Sequence, residues 1–407
     1  MPDATIPDRA PALQQQIEAL RDGDDWAVEA ADLLIAAARE SDCSDLHIAC
    51  LRDAVVARGR RDGGFFPLAR IPASRRDLLI ARLKVLARVP AFIRHEPQDG
   101  RIEWHPPDAD SPIMLRASFL PTIHGENVVI RFPEPGARLL DMAALGMNDA
   151  VLGAVEALLA RQEGTLMLTG PSSSGKTTTI YAMLARLQKR RGDRLNILTI
   201  EDPVERDLGF ASQVQVNEPQ GLTYDRALRA ALRQDPNVLM IGEVRDADTA
   251  RVAIQAGMTG HLVISTLHAG RATRVFTRLL SMGVEPYLVA SAMAGAVAQR
   301  LARRLCPACR RVEGAAAVWT AHGCPDCAFT GHLGRRGLFE AVIVTEQLRG
   351  LILARATSAQ IAAQAAREQV GDLVTEGRRL ADAGEIARAE FEYLLAGEEE
   401  ETTRENA

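Results

Sequence analysis

The chain lacks a strong charge of either sign, with 48 Lys and Arg against 53 Asp and Glu and a formal net charge of −5 over 407 residues. Without a basic domain or a polybasic tract, nothing in the composition advertises nucleic acid or an anionic membrane surface. No direct nucleic-acid partner is therefore expected. Long apolar runs are missing too: the uncharged stretch from Leu288 to Ala298 is too short to span a bilayer. Met1 to Ala10 is acidic and broken by proline, which is not the pattern of a secretory signal. These absences point to a cytoplasmic protein. Cysteine is scarce, and four of the six fall in two C-x-x-C pairs, which in a reducing compartment suggests metal in place of disulfides.

What is present is ample apolar sequence, 47% of residues, in a chain long enough for two to four units. Residues 1–40 read as polar sequence followed by an amphipathic helix from Trp26 to Ala38. Over 41–132, strand-like segments at Leu46–Ile48, Ala54–Arg58, Gly64–Leu68, Arg101–Trp104, Ile113–Phe119 and Asn127–Phe132 surround a helical Leu78–Leu86, which fits a small α+β domain. A linker is expected at 133–138, around Pro133-Glu134-Pro135-Gly136.

From 139 to 300, short apolar runs alternate with helices. Strands are expected at Thr165–Thr169, Leu195–Ile200, Val238–Ile241 and Leu262–Thr266. Such alternation argues an α/β domain with a mostly parallel sheet, whose ligands sit beyond the strands' carboxyl ends. The remainder divides into a basic, Cys/Gly-rich module at 301–335, a helical region at 336–395 and a disordered acidic tail at 396–407.

The first of those α/β strands runs into Gly170-Pro171-Ser172-Ser173-Ser174-Gly175-Lys176-Thr177, and Thr178 opens a helix with Ile180, Met183, Leu184 and Leu187 on one face. Strand, G-x-x-x-x-G-K-[ST] and helix together form a P-loop context. Glycines let backbone N–H groups turn toward phosphate oxygens, the helix N-terminus adds positive potential, and Lys176 reaches the β- and γ-phosphates. Thr177 can hold Mg²⁺ through its hydroxyl. A Gly/Ser loop with no ligand would explain neither Lys176 nor its spacing. The chain is read as binding a nucleotide.

The other strand tips carry polar groups as well. Val238–Ile241 leads through Gly242 to Glu243, as a Walker B strand should, and Glu201-Asp202 follows another strand before Pro203. Either Glu201 or Glu243 can polarise the attacking water, and residue types alone leave the choice open. Of the two histidines around the fourth strand, His261 stands at its start and reads as structural, whereas His268 lies beyond its carboxyl end and is the candidate γ-phosphate sensor. Cys306, Cys309, Cys324 and Cys327 offer four soft ligands for tetrahedral zinc, a structural site because four thiolates leave no open position. Cys43 and Cys50 have no partner motif and read as structural.

These motifs make the chain similar, over about residues 41 to 395, to the ATPases of type II secretion, type IV pilus assembly and DNA-uptake pseudopili. Thr199–Glu205 resembles the family's Asp box, Leu232–Pro236 with Met240–Asp246 its Walker B region, and Thr259–His268 its His box. Ser44–Ile48, Pro97–Arg101 and Leu120–Glu126 are also family-like. The resemblance implies a homo-oligomer, a hexameric ring of RecA-like motor domains each preceded by a PAS-like domain. It implies ATP hydrolysis that drives extrusion of pilin-like subunits through an inner-membrane platform protein, with peripheral membrane association through partners. Arg101 and Arg116 match arginines that the N-domain brings to nucleotide, and Arg229 and Arg233 match motor-domain arginines near the same interface. Retraction motors generally lack the cysteine module, so its presence favours assembly; a DNA-pumping ring would call for basic loops that are not visible. The P-loop departs from the family in having Ser172 and Ser173 for the usual Thr-Gly. The spacer Arg310 to Gly323 is shorter than usual, and the additional N-terminal domain used by many type II members for membrane recruitment is not matched.

Overall fold

The computed structural model describes residues 9–20, 25–106, 112–133, 141–314 and 318–394. The expected linker, apart from Pro133, and the acidic tail lie outside these. The chain forms two compact units, one of Met1–Gly136 with Arg303–Arg335 and the other of Ala137–Ala302 with Arg336–Ala407.

In the first unit, α1 (Arg9–Ala19) and α2 (Trp26–Glu40) precede β1 (Asp45–Cys50), β2 (Ala54–Arg61) and β3 (Gly64–Pro72). Then come α3 (Arg76–Leu86), β4 (Gln98–Trp104), β5 (Ile113–Thr122) and β6 (Gly125–Arg131). The strands form one sheet in the order β3-β2-β1-β6-β5-β4, antiparallel throughout. Alternation decides which face is core: Leu115, Ala117 and Phe119 of β5 are buried while Met114, Arg116 and Ser118 between them are exposed. Trp26, Leu34 and Ile35 of α2 join Leu79 and Leu83 of α3 over the buried face, against Ile48, Ile102 and Ile130.

The second unit opens with α4 (Asp149–Leu159), β7 (Gly164–Thr169), α5 (Lys176–Arg191), β8 (Ile197–Glu201) and β9 (Ser212–Gln215). It continues through α6 (Tyr224–Ala231), β10 (Val238–Ile241), α7 (Ala247–Gly257), β11 (Leu262–Leu267), α8 (Val275–Ser281) and α9 (Pro286–Ala292) into β12 (Met293–Leu305). In sequence, short strands β13 (Arg311–Glu313) and β14 (Val318–Thr320) follow and belong to the first unit; then come β15 (His332–Ile343), α10 (Glu346–Leu353), α11 (Ser358–Arg367), β16 (Gln369–Val370) and α12 (Leu373–Asp382). The main sheet has the order β16-β15-β12-β7-β11-β10-β8-β9, with parallel pairing from β12 through to β9. Every residue of β7, β8, β10 and β11 is buried, as a parallel sheet covered on both faces requires.

One difference from the sequence reading concerns β15 and β16. The helical region expected at 336–395 begins as strand, because Leu338–Ile343 belongs to β15, and β16 interrupts its helices. The apolar stretch Leu288–Ala298 is part helix and part strand, split between α9 and β12. In sequence the cysteine module lies between the long strands β12 and β15, and it groups with the N-terminal unit. No helix among the described residues is long and apolar enough to cross a membrane.

Candidate active site

The P-loop occupies the carboxyl end of β7, at the centre of the parallel strands. Gly170 (φ +149°) and Gly175 (φ +85°) take backbone conformations that disfavour a Cβ, and a Cβ at Gly170 would lie 2.8 Å from Ser174 Oγ. Ser172 and Ser173 are exposed, whereas Ser174 is 3% exposed and its Oγ has no hydrogen-bond partner. A buried hydroxyl without a partner inside a ring of backbone amides suits a phosphate oxygen. Lys176 opens α5 and donates to the carbonyls of Gly170 (2.8 Å) and Pro171 (2.9 Å). Burial lowers its pKa, the Glu243 carboxylate opposes that shift, and Arg300 adds to it. Lys176, Glu243 and Arg300 thus share one electrostatic environment. Thr177 and Thr178 are half-buried in the first turn of α5.

Glu243 sits just past β10 at the hub of a polar chain. Its Oε1 meets His268 Nε2 at 3.0 Å and its Oε2 accepts from Arg245 Nε at 2.8 Å. Arg245 Nη1 lies 3.8 Å from Asp202 at the tip of β8. Burial works against ionising Glu243, yet Arg245 and His268 together hold its carboxyl below its ordinary value. Gly242 is required beside it, because a Cβ there would lie 3.0 Å from Tyr224 Oη and 3.2 Å from the Ile200 carbonyl. The structure therefore unites Lys176, Glu243 and His268, three residues singled out from the sequence, with one it did not single out, Arg245. The available signal was positional: Arg245 follows Glu243 in the same loop.

Glu201 has a different environment. It is 2% exposed, and its carboxylate accepts from Tyr181 Oη, from Thr199 Oγ1 (2.6 Å) and from Gln213 Nε2 (3.0 Å). Burial and Glu201 push the Tyr181 phenol up, so it stays a donor. Sequence reading missed both Tyr181 and Gln213, because neither β9 nor the inward face of α5 announces a polar role. His261 Nδ1 lies 3.1 Å from the Ala256 carbonyl, at the start of β11. Arg229 pairs with Asp225 one turn back on α6, and Arg233 donates to the Arg229 carbonyl.

In the other unit, Arg101 and Arg116 lie on the exposed face of the sheet. The four module cysteines have Sγ atoms within 4.8 Å of one another. Cys306–Cys324, Cys309–Cys327 and Cys324–Cys327 are each 3.8 Å apart. A tetrahedron with metal–sulfur bonds of ~2.3 Å has edges of about 3.8 Å, so the donor set fits zinc. Amides of Gly323, Cys324 and Gly331 donate to Cys309 and Cys327 sulfurs, which favours thiolates. Cys43 and Cys50 are buried apart from this group, and Cys50 donates to the Glu126 carbonyl.

Residues 21–394 match the family described as type II/IV secretion system protein. The chain belongs to that family. This secretion system protein is 46% identical to type II secretion system protein HxcR of Pseudomonas aeruginosa over 323 residues, 79% of this chain and 66% of that one. It is 40% identical to type II secretion system protein E of Klebsiella pneumoniae, over 81% of this chain and 68% of that one. The chain thus spans about two thirds of these relatives' length. Among solved structures it shares its fold with the Legionella pneumophila ATPase DotB at a TM-score of 0.68 and 19% identity, covering 90% of this chain and 95% of that one. It likewise resembles the pilus retraction motor PilT at 0.59 and 23%, over 89% and 96%.

Proposed function

We propose that this secretion-family chain is an ATPase motor that hydrolyses ATP to ADP and phosphate and drives assembly or extrusion of pilin-like subunits in a secretion or pilus machine. One observation carries the enzymatic part: Lys176, on a P-loop with a buried unpaired hydroxyl, lies within electrostatic reach of Glu243, the hub of the His268–Arg245 cluster. A phosphate chain held by the loop would present its γ-phosphate to that cluster, where charge develops in phosphoryl transfer. Thr177 would hold Mg²⁺, which supplies charge neutralisation between β- and γ-phosphates. Steady-state ATPase activity, abolished by Lys176→Ala, tests the reading; a wild type without turnover would reduce the chain to a nucleotide-binding scaffold.

The working unit is inferred to be a hexameric ring, peripheral at the inner membrane through a platform protein. Supporting this are the family match and the type II secretion relatives. Cys306, Cys309, Cys324 and Cys327 would hold one structural zinc. Arg101 and Arg116 are assigned to nucleotide.

A further inference from the structure

Gln299 and Arg300, consecutive on β12, touch the P-loop and the His268 loop, although neither entered the motifs above. They are buried, 2% and 6% exposed. Gln299 Oε1 accepts from Thr179 Oγ1 at 2.7 Å, and Thr179 is fully buried near the start of α5. The same glutamine stands where the P-loop backbone comes closest. A Cβ at Gly170 would lie 2.4 Å from its carbonyl oxygen, and one at Gly175 would lie 2.9 Å from its Nε2. The two glycines of the loop thus leave room for Gln299 as well as for phosphate.

Arg300 reaches the second loop. Its Nη2 donates to the Gly270 carbonyl at 3.0 Å, while Nη1 donates to the Gln299 carbonyl at 3.1 Å. Gly270 closely follows His268, and the intervening Ala269 amide donates to Thr169 Oγ1 at 2.9 Å, directly before the P-loop. The far side of the loop is fixed too. Arg271 makes two bonds to the fully buried Glu340 of β15, at 3.0 and 2.7 Å, and one to Asp372 at 3.1 Å. Buried guanidinium and carboxylate groups are costly unless geometry and partners are excellent. Arg300 and Glu340 are buried and Arg271 partly so, and all three hold this one short loop.

We propose that Gln299 and Arg300 are a positioning pair for hydrolysis, Gln299 setting the P-loop helix and Arg300 the His268 loop. Through them the spacing between Lys176 on one side and His268–Glu243 on the other is fixed by a single strand. Neither side chain is placed on the reacting atoms; each acts through the group it holds. Displacements of an ångström in such a site reduce turnover by up to about 10²-fold with little effect on ground-state binding. The inference rests on the ATPase reading.

The experiment uses the full chain, with steady-state ATPase activity, affinity for a fluorescent ATP analogue and thermal unfolding measured on each variant. Arg300→Met and Gln299→Leu should lower kcat on the order of 10- to 10²-fold while affinity stays within about threefold. Arg300→Lys should recover part of the rate, since an ammonium can still donate to the Gly270 carbonyl. Normal kcat in Arg300→Met and Gln299→Leu overturns the proposal. So does a loss of rate matched by equal losses of affinity and thermal stability, with no recovery in Arg300→Lys, because that pattern is merely structural. Should Arg300→Met fail to fold, Gln299→Leu and Arg300→Lys decide, and normal kcat in both overturns the pair. Wild type and Lys176→Ala run alongside: no turnover in wild type would sink the ATPase reading and not the geometry of the pair.

Discussion

Arg101 and Arg116 stand directly opposite each other across β4 and β5, and Arg116 is in turn opposite Arg131 on β6. All three are on the exposed face of the sheet, and only Arg131 has a carboxylate at close range, its Nε lying 2.9 Å from Asp45 Oδ1. Like charges directly opposed across strands are destabilising, each pair by roughly 0.2–1 kcal/mol. The proposal that these arginines serve a nucleotide gives that concentrated positive charge a use. Arg101→Ala and Arg116→Ala should therefore leave thermal stability unchanged or slightly raised while kcat drops, by roughly 10³–10⁵ if each acts as an arginine finger. Full ATPase activity in both variants would leave the row as surface charge.

Glu243 and Lys176 should fail differently. Lys176→Ala removes the ammonium proposed to grip phosphate and should weaken nucleotide binding itself. Glu243→Gln keeps the shape and the contacts with Arg245 and His268, and should mainly lower kcat. Nucleotide affinity and kcat measured in both variants separate the roles. Normal turnover in Glu243→Gln would pass the water-activating role to Glu201, despite its three hydrogen bonds.

A pH dependence follows from the same carboxylate. Its folded pKa lies below the ordinary 4.5, so the stabilisation from Arg245 and His268 is fully present above pH 4.5. That stabilisation is lost as the pH falls through the lowered value. Acid unfolding of Glu243→Gln should accordingly be less steep below about pH 4.5 than that of wild type. An unchanged acid limb would mean that the ion pairs contribute nothing.

Much of this was legible because it is periodic or local. Fully buried β7, β10 and β11, and the alternation in β5, follow directly from which faces are covered. The P-loop and the C-x-x-C pairs are short-range patterns whose chemistry is carried by spacing. Strand β15 was hidden because Leu338–Val342 is buried on both faces, and a short, mostly apolar run has the same appearance in helix and strand. The clamps on the site were hidden for another reason: Thr179 meets Gln299 and Arg271 meets Glu340 across long stretches of sequence. Nothing local to either partner marks the contact.

Glu126, inside the family-like Leu120–Glu126 stretch, has a structural role that sequence did not show. It is paired with Lys84, whose side chain is fully buried, lies 5.7 Å from the Phe119 ring centroid and donates to the Ile93 carbonyl. Removing one member of a buried pair leaves an uncompensated charge and costs about 3–5 kcal/mol. Glu126→Ala should lower the unfolding temperature of the N-terminal unit markedly. The double change Lys84→Met with Glu126→Leu should recover much of it. Equal stability of the single variant and wild type would show that the pair is dispensable.

The cysteine module provides the last test, at a contact it makes through Asp62. Asp62, in the turn between β2 and β3, accepts from the Gly334 amide through Oδ2 at 2.7 Å, and its Oδ1 lies 3.8 Å from Arg335 Nε. Asp62 is in the left-handed region, φ +51°, where Asp and Asn are tolerated better than Ala. Asp62→Ala thus loses both the acceptor and the conformational preference, whereas Asp62→Asn keeps both and gives up only the charge. The hydrogen bond and its loss are worth roughly 1–3 kcal/mol. Zinc itself should be unaffected, since all four ligands lie elsewhere: elemental analysis should show near one zinc per chain in wild type and in Asp62→Ala, and none in Cys324→Ser/Cys327→Ser. Hydrogen exchange at Gly334 should be faster in Asp62→Ala and close to wild type in Asp62→Asn. In the cysteine variant, protection should be lost across the whole module, because so short a segment with few core residues needs its metal to fold. A metal-free wild type that retains protection from 306 to 331 would overturn the zinc assignment, and unchanged exchange at Gly334 in Asp62→Ala would overturn the anchor.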